Sequence, residues 1–187
     1  MREDLLHDDS GLTLIELLVA MAITLIIITP LFSAFVLTLG QSARSEQEVT
    51  NTADSQSLTA FFPQDVANAD TVRVSSSCGT GTPMLELTWN DGASHYISYE
   101  SSTTTLAGVA AYQVTRYECA AAAGPVTGSA LVVRTAASLP VVTCDGTACS
   151  NATTKPRVVT FAVDDLGRTP SELHFSFTLT GTRRVTT

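Results

Sequence analysis

The chain has 187 residues, of which 44% are hydrophobic and 15% charged, and its formal net charge is -8. This length allows one membrane helix and one modest globular domain, and it leaves no room for a second large domain. Because the charge balance is acidic and only Arg183 and Arg184 form a basic pair, we expect no general nucleic-acid binding.

A short polar start is followed by a long apolar run. Residues 1–10 are mostly polar and acidic, and no charged residue occurs from Leu17 to Leu39. At about 1.5 Å of rise per residue, such a run can cross a hydrocarbon core roughly 30 Å thick. The small residue Gly11 precedes the run, whereas a secretory signal peptide has its small-residue cleavage site after it. A peptidase that cut at Gly11 would therefore leave the apolar helix on the mature protein.

One carboxylate, that of Glu16, lies at the start of the apolar run. A carboxylate deep in lipid costs about 2.5 to 3.5 kcal/mol, so we expect Glu16 to have a partner. Two interpretations stay open on the residue alone. The side chain of Glu16 either extends to the cytoplasmic headgroups or forms part of a motif with its neighbours.

Residues 11–16 read G-L-T-L-I-E. This segment resembles the class III signal of type IV pilins and pseudopilins, usually written G-F-T-L-I-E, with Leu12 in place of the phenylalanine. The resemblance implies that a membrane-embedded prepilin peptidase cleaves between Gly11 and Leu12 and that Leu12 becomes N-methylated. It also implies that Thr13 and Glu16 are residues of the assembly segment.

In that family the glutamate meets the amino terminus of a neighbouring subunit in a filament. The resemblance thus gives Glu16 a partner, the new ammonium group at Leu12 of the next subunit. Two opposite charges that are each costly in lipid cost less together, and their pairing selects one axial stagger between helices. Asp8 and Asp9 lie where family leaders are usually basic, so the positive-inside signal is weak.

We predict one long helix from about Leu12 to Phe62, with a kink at Pro30 and a break near Pro63, because proline lacks the backbone N–H. Residues 63–69 are predicted to form either a kinked continuation or a short second helix. Beyond Leu39, apolar residues recur at spacings that keep one stripe facing a core. The predicted regions are a leader peptide (1–11), a transmembrane and assembly helix (12–39), the soluble half of the long helix (40–70) and a β-rich globular domain (71–187).

From Thr71 the pattern changes to short β-prone runs separated by turn residues, which is typical of an antiparallel sheet. The predicted strands are 71–75, 84–89, 94–99, 112–119, 130–134, 141–144, 157–163 and 173–179. Residues 90–92 and 164–167 are predicted turns, and residues 101–105 and 120–128 are predicted exposed loops. The predicted class is α+β, with a long N-terminal helix, transmembrane in its first half, packed on an antiparallel β-sheet domain as in type IV pilin-like proteins.

All four cysteines follow the apolar segment. An even number in an exported domain favours disulfides, with three possible connectivities. Because Cys144 and Cys149 bracket a short loop of turn residues, we favour Cys144 paired with Cys149 and Cys78 paired with Cys119. A zinc site is the alternative, but no C-x2-C occurs and the three histidines are scattered at positions 7, 95 and 174.

The sequence contains no catalytic motif such as G-x-S-x-G or H-E-x-x-H, and no phosphate-binding glycine loop. We therefore expect no enzyme activity, no cofactor and no metal. Asp164 and Asp165, with Asp91 or Asp145 in other loops, are the candidates for calcium ligands. They lack the spacing of a recognised calcium loop, and paired aspartates in a turn are more often solvated.

A second, more diffuse resemblance concerns the end of the long helix and a later strand. Three segments are similar to the corresponding parts of PilW-like minor pilins and J-type minor pseudopilins of type II secretion: Phe62 to Ala69, with Asp65, then Leu85 to Leu87, and the strand His95 to Tyr99. The resemblance implies a structural subunit, a minor pilin or pseudopilin, that is incorporated in a pilus or a secretion pseudopilus or primes its assembly.

The expected partners are prepilin peptidase, the cell membrane, and other pilin or pseudopilin subunits bound through the N-terminal helix. The expected location is the cytoplasmic (inner) membrane, crossed once, with the globular domain on the extracytoplasmic side, and then the pilus or pseudopilus. The alternative is a membrane-anchored surface binding protein, an adhesin or a DNA-uptake component, that uses the helix mainly as an anchor.

Overall fold

The structure is a computed structural model that describes residues 13–75, 78–106, 108–122, 124–165 and 175–184. The chain divides into two compact units, residues 1–46 and 47–187. One α-helix, α1, spans Leu14–Asn68 and thus contributes to both units. Antiparallel strands follow it in the second unit, which confirms the predicted α+β class.

The described part of the second unit contains nine strands in one sheet. They are β1 (Thr71–Arg73), β2 (Thr82–Asn90), β3 (Ser94–Leu106), β4 (Val109–Cys119), β5 (Val126–Ala136), β6 (Val141–Cys144), β7 (Thr147–Ala148), β8 (Val158–Asp165) and β9 (Phe175–Thr182). The strand order is β1-β2-β3-β4-β5-β8-β6-β7, with β9 paired to β8, and every pairing is antiparallel. The first five strands form a meander, in which each strand pairs with the next one along the chain.

Each predicted strand coincides with an observed one, and three local predictions were wrong. Residues 101–105, predicted as a loop, belong to β3, and residues 126–128 belong to β5. Threonine favours strands through its β-branched side chain, so the polar run in β3 pairs well even without an alternating apolar pattern. Asp164, predicted in a turn, pairs with Ser176 in the β8–β9 ladder. The two-residue strand β7 was not predicted.

Pro63, where we predicted a break, lies inside α1, which continues to Asn68. The proline ring removes the N–H that would donate to the carbonyl of Thr59. However, Leu58, Phe62 and Val66 are completely buried on one face of the helix. Burial of a large apolar side chain contributes about 1.5 to 3 kcal/mol, so three such residues outweigh one lost hydrogen bond. The continuous helix leaves no separate short helix after Pro63, and a kink at this proline stays a prediction.

The core of the second unit lies between this last part of α1 and the sheet. The ring of Phe62 makes edge contacts with Tyr99 and Phe161, with centroid distances of 6.0 and 5.5 Å. Val66 packs so closely on β9 that a Cβ at Gly181 would lie 2.5 Å from the Cβ of Val66. Glycine at position 181 therefore permits the helix to approach the sheet.

Two disulfides tie the loops of the second unit. Cys78 is bonded to Cys119 at the end of β4, and Cys144 is bonded to Cys149 across the β6–β7 turn. The Cα–Cα distances, 5.8 and 4.9 Å, lie in the usual range for disulfides. These are the two pairs that the loop argument favours, and they use all four cysteines of the chain.

Candidate assembly site

The described part of the N-terminal segment begins at Thr13, so the predicted cleavage site between Gly11 and Leu12 lies outside it. Thr13 precedes the first residue of α1, and its carbonyl accepts a hydrogen bond from the amide of Leu17 at 3.2 Å. Thr13 is therefore the N-cap residue of the helix. Glu16 is the third residue of α1 and the acidic residue of its first turn.

Thr13 and Glu16 cap the helix reciprocally. The amide of Thr13 donates to Oε2 of Glu16 at 3.0 Å, and the amide of Glu16 donates to the hydroxyl of Thr13 at 3.4 Å. The hydroxyl of Thr13 also donates to the same Oε2 at 2.9 Å. This is a capping box, the T-x-x-E arrangement that satisfies two free amides at a helix start. The T-x-x-E spacing is visible in the sequence, although the motif at residues 11–16 alone does not point to a helix cap.

The capping box leaves one carboxylate oxygen of Glu16 available. Oε1 of Glu16 has no hydrogen-bond partner among the described residues. The carboxylate also lies at the N-terminal end of the helix, where the aligned peptide dipoles stabilise a negative charge. One carboxylate oxygen of Glu16 thus accepts hydrogen bonds within its own helix, and the other can accept a hydrogen bond from a further donor.

Beyond Glu16 the described apolar part of α1 presents only exposed side chains. Leu14–Leu39 is a segment of 26 residues with a mean hydropathy of 2.5 and no buried residue, long and apolar enough to cross a membrane. Its hydroxyl groups donate to the carbonyl four residues earlier, as Thr24 does to Ala20 at 2.7 Å and Thr38 to Ala34 at 2.8 Å. Such internal bonds remove the cost of placing hydroxyls in lipid or against apolar neighbours.

Pro30 lies inside this apolar segment, and α1 continues through it. Because proline has no N–H, the carbonyl of Ile26 loses its usual helical donor. Two hydroxyls beside the proline donate to nearby carbonyls, Thr29 to Leu25 at 2.8 Å and Ser33 to Thr29 at 3.0 Å. Such hydroxyl bonds often accompany a bend, and a kink at Pro30 stays a prediction.

The other end of α1 is fastened to the sheet by a buried ion pair. Oδ2 of Asp65 accepts hydrogen bonds from Nε of Arg116 at 2.6 Å and from the hydroxyl of Tyr99 at 2.7 Å. Oδ1 of Asp65 accepts from Nη2 of Arg116 at 2.9 Å. The guanidinium also bonds Glu118 at 2.6 Å and lies 5.0 Å from the centre of the Phe61 ring. Asp65 and Arg116 are both more than nine-tenths buried.

The protonation states in this cluster follow from burial and charge. Burial and the neighbouring Asp65 charge raise the pKa of Tyr99 well above its ordinary value, so its hydroxyl stays a donor. Burial alone would lower the pKa of Arg116, but hydrogen bonds to Asp65 and Glu118 raise it above its ordinary value. The cluster is therefore a fixed ion pair with one neutral donor.

A second buried carboxylate, Asp54, binds β5. Its Oδ2 accepts from the amide of Arg134 and its Oδ1 from Nη1 of the same residue, both at 2.6 Å. Burial raises the pKa of Asp54, and the contacts with Arg134 oppose that shift. Asp54 and Asp65 thus attach α1 to two different strands of the sheet, β5 and β4.

Two further carboxylates are buried on the sheet face that Tyr99 does not occupy. Glu100 accepts hydrogen bonds from the amides of Gly79 and Gly81 at 3.0 and 2.9 Å, which holds the loop that carries Cys78. Glu86 accepts from Nη2 of Arg73 at 2.7 Å through Oε1, while its Oε2 has no hydrogen-bond partner among the described residues. These contacts are structural, since both carboxylates are covered by the protein.

The candidate calcium ligands form no cluster among the described side chains. Asp91 pairs with His95 in the β2–β3 turn, and the hydrogen bond from His95 lowers the pKa of Asp91. Asp145, in the β6–β7 turn, accepts from the amides of Arg157 and Val158. Asp164 lies in β8, and the side chain of Asp165 is outside the described part. No group of three His, Cys, Asp or Glu side chains that could hold a metal occurs among the described residues.

The fold and the N-terminal segment define an α+β protein with a membrane-length apolar helix whose first turn contains Glu16 in a capping box with Thr13. Residues 6–32 match the family model described as the prokaryotic N-terminal methylation motif. The chain therefore carries the class III prepilin signal, as the resemblance at residues 11–16 predicted. No curated protein and no solved structure matches the chain.

The matched motif is that of a type IV pilin-like or pseudopilin-like substrate of prepilin peptidase. Proteins with this motif are structural and not enzymatic. With the apolar segment Leu14–Leu39, the motif also supports membrane anchoring. The matched residues include Gly11, Leu12, Thr13, Glu16 and Pro30, and they end before the globular domain begins.

Proposed function

We propose that the chain is a minor pilin or minor pseudopilin, a structural subunit of a type IV pilus or a type II secretion pseudopilus. Prepilin peptidase cleaves it between Gly11 and Leu12 and methylates the amine of Leu12. The subunit is held in the membrane by its apolar helix and then enters, or primes the assembly of, a filament built from such helices. The observation that carries this proposal is the methylation motif over residues 6–32, with Glu16 at the exposed start of α1.

Cleavage at Gly11 changes the surroundings of Glu16. It makes Leu12 the first residue, so that a positive charge lies directly before the capping residue Thr13. In the isolated chain the Thr13 amide and hydroxyl occupy Oε2 of Glu16. Oε1 is the oxygen that accepts from the Leu12 ammonium of a neighbouring subunit. One carboxylate thus serves two purposes, capping its own helix and fixing the stagger of the next.

The exposed apolar side chains of Leu14–Leu39 support assembly as well as anchoring. In the membrane these side chains face lipid, and in a filament they pack against the same segment of other subunits. An apolar surface gives such helices little preference for one axial offset. A single charge pair, costly when it is unmatched, supplies that preference.

The disulfides support a location of the globular domain outside the cytoplasm. Both Cys78–Cys119 and Cys144–Cys149 are formed, and disulfides persist in oxidising compartments. The domain then lies on the extracytoplasmic side while Met1 to Gly11 stay on the cytoplasmic side. This is the orientation in which a membrane-embedded peptidase meets the leader.

Processing tests the proposal directly. Co-expression with a prepilin peptidase should remove residues 1–11 and add one methyl group to Leu12, which intact-mass measurement detects. Gly11→Val should leave the chain uncut, and Asp8→Asn, in the leader but outside G-L-T-L-I-E, is the matched control that should still be cut. An unchanged mass of the wild-type chain in the presence of active peptidase would contradict the proposal.

A further inference from the structure

The hairpin of β3 and β4 extends beyond the two strands that flank it. The β2–β3 ladder stops where Thr82 pairs with Ser101, and the β4–β5 ladder stops at Tyr112. β3 and β4 continue to pair with each other from there to Leu106 opposite Val109. We call this segment, residues 102–106 and 109–111, the β-arm. At about 3.3 Å per residue, the β3 strand of the arm reaches roughly 16 Å past β2, and its β4 strand reaches roughly 10 Å past β5.

The β-arm is uncharged and largely exposed. No charged residue occurs between Glu100 and Arg116, although the whole chain carries -8. Val109 is 43% exposed, and Ser102, Thr103 and Thr105 are also exposed. The arm contains no proline, and its ladder has no register shift. It thus has none of the charges, prolines and bulges that normally protect a strand edge from pairing.

A two-stranded ribbon has little stability of its own in water, because each strand leaves one row of backbone groups unpaired. In the described part of the chain, neither β2 nor β5 covers the outer edges of the β-arm. Among the described residues, the arm therefore presents two edges with no paired strand. A third strand would both satisfy these backbone groups and stabilise the ribbon.

The strand β9 offers the complementary edge. Its only neighbour among the described strands is β8, over Phe175–Thr182. The sequence of β9 contains no charged residue and no proline, and the side chains of Ser176, Thr178, Thr180 and Thr182 are exposed. The eight residues of β9 are more than enough to pair with one strand of the β-arm.

We propose that the β-arm of one subunit pairs with the β9 edge of a second copy of this chain. The proposal rests on the proposed function, since a filament places subunits side by side. The contact joins two different surfaces of the chain, and such a contact builds a helical array when it does not close into a ring. Both edges are uncharged, so they are places where two copies of an acidic chain can approach without direct repulsion.

Photo-crosslinking of the full-length chain in membranes tests the contact. Two versions of the chain with different epitope tags are co-expressed, one of them with benzoylphenylalanine at position 105 in the β-arm. We expect mixed-tag adducts in which the crosslink maps to residues 175–182. Position 93, exposed in the turn at the other end of β3, is the matched control and should give at least about tenfold less adduct, equivalent to about 1.4 kcal/mol.

A shortened arm supplies the reverse test. Replacing residues 105–110 by Asn-Gly keeps the Thr104–Ala111 pair and closes the hairpin with a two-residue turn. With the crosslinker moved to position 178 in β9, this variant should lose the mixed-tag adduct while both disulfides still form. Formation of the disulfides shows that the domain has folded.

Three results would overturn the contact: no mixed-tag adduct from position 105, an equal yield from position 93, or an unchanged yield with the shortened arm. Leader cleavage, measured in the same cells, tests the proposed function separately. A cleaved chain without the arm adduct contradicts only the β-arm contact.

Discussion

Asp65 and Arg116 form a two-point ion pair, 51 residues apart in the chain, with N–O distances of 2.6 and 2.9 Å. Asp65 lies near the end of α1, and Arg116 lies in the second half of β4. Both side chains are more than nine-tenths buried. The pair therefore fixes where the end of the helix meets the sheet. Substitution of either residue, or of their partners, should change the free energy of unfolding.

Removal of the cation should be strongly destabilising. Arg116→Leu leaves the buried Asp65 carboxylate with only the Tyr99 hydroxyl, and loss of one partner of a buried pair costs about 3 to 5 kcal/mol. The free energy of unfolding can be followed in detergent by the fluorescence of Trp89, the single tryptophan. Arg184→Leu, at an exposed position, is the matched control and should change it by less than about 0.5 kcal/mol. A loss below about 1 kcal/mol for Arg116→Leu would contradict a structural role of the pair.

The hydroxyl of Tyr99 should contribute less to the free energy of unfolding than the guanidinium of Arg116 does. Tyr99→Phe keeps the ring contact with Phe62 and removes only the hydrogen bond to Asp65. A hydrogen bond to a charged group contributes about 1.5 to 3 kcal/mol, and urea unfolding should show a loss of this size. Tyr112→Phe, which leaves the Asp65 cluster intact, serves as the control. An equal loss of unfolding free energy in the two variants would indicate that the hydrogen bond to Asp65 adds nothing beyond the removal of a tyrosine hydroxyl.

Asp54 should make stability depend on pH in the direction opposite to a typical paired carboxylate. Burial raises the folded-state pKa of Asp54 above its ordinary value of 3.8, so the folded state binds the proton more tightly than the unfolded state. Stability from this group is then present at low pH and is lost as pH rises through the raised pKa.

The comparison of wild type with Asp54→Asn isolates this contribution, because the other groups titrate alike in both proteins. We expect the advantage of the wild type in unfolding free energy to be larger near pH 4 than at pH 7. An advantage that instead grows toward neutral pH would show that Arg134 dominates over burial.

Gly181 should not tolerate a side chain. In Gly181→Ala the added methyl group would lie 2.5 Å from the Cβ of Val66. Overpacking of this kind costs about 1 to 3 kcal/mol. Thr180→Ala, at the neighbouring exposed position of β9, is the control with a small expected change. Adding Val66→Ala to Gly181→Ala removes the two γ-methyl groups of Val66, which would lie 2.8 Å from the added methyl, and should recover part of the loss although the Cβ of residue 66 remains. If the two substitutions are simply additive, the residues do not meet as described.

The sequence predicted most of the architecture because its periodic signals are local. The uncharged run after Glu16, the change to β-prone runs at Thr71 and the turn at residues 90–92 each depend on neighbouring residues. The sequence left open whether the helix continues past Pro63 and misassigned the polar strand at residues 101–105, because packing against the sheet and pairing with β4 decide their structure. Both effects come from residues distant in the chain.

The residues of the candidate site likewise include some that the local sequence predicts and some whose contacts depend on distant parts of the chain. Glu16 stood out by its charge in an apolar run, and the spacing of Thr13 and Glu16 already contained the capping box. The contacts of Asp65 with Arg116 and of Asp54 with Arg134 could not be predicted, since they depend on strand register across 51 and 80 residues of chain. The diffuse resemblance included Asp65 and Tyr99, but only the structure brings them together.

The most direct test of the central claim separates the charge of Glu16 from its capping role. Glu16→Gln retains an oxygen that can accept from the Thr13 amide but removes the charge, whereas Thr13→Val removes the capping hydroxyl and retains the charge. The measurement is the fraction of cleaved, membrane-inserted subunit that is incorporated in filaments sheared from cells. If the Glu16 charge sets the register, Glu16→Gln should abolish incorporation and Thr13→Val should largely preserve it. Wild-type incorporation of Glu16→Gln would contradict the claim.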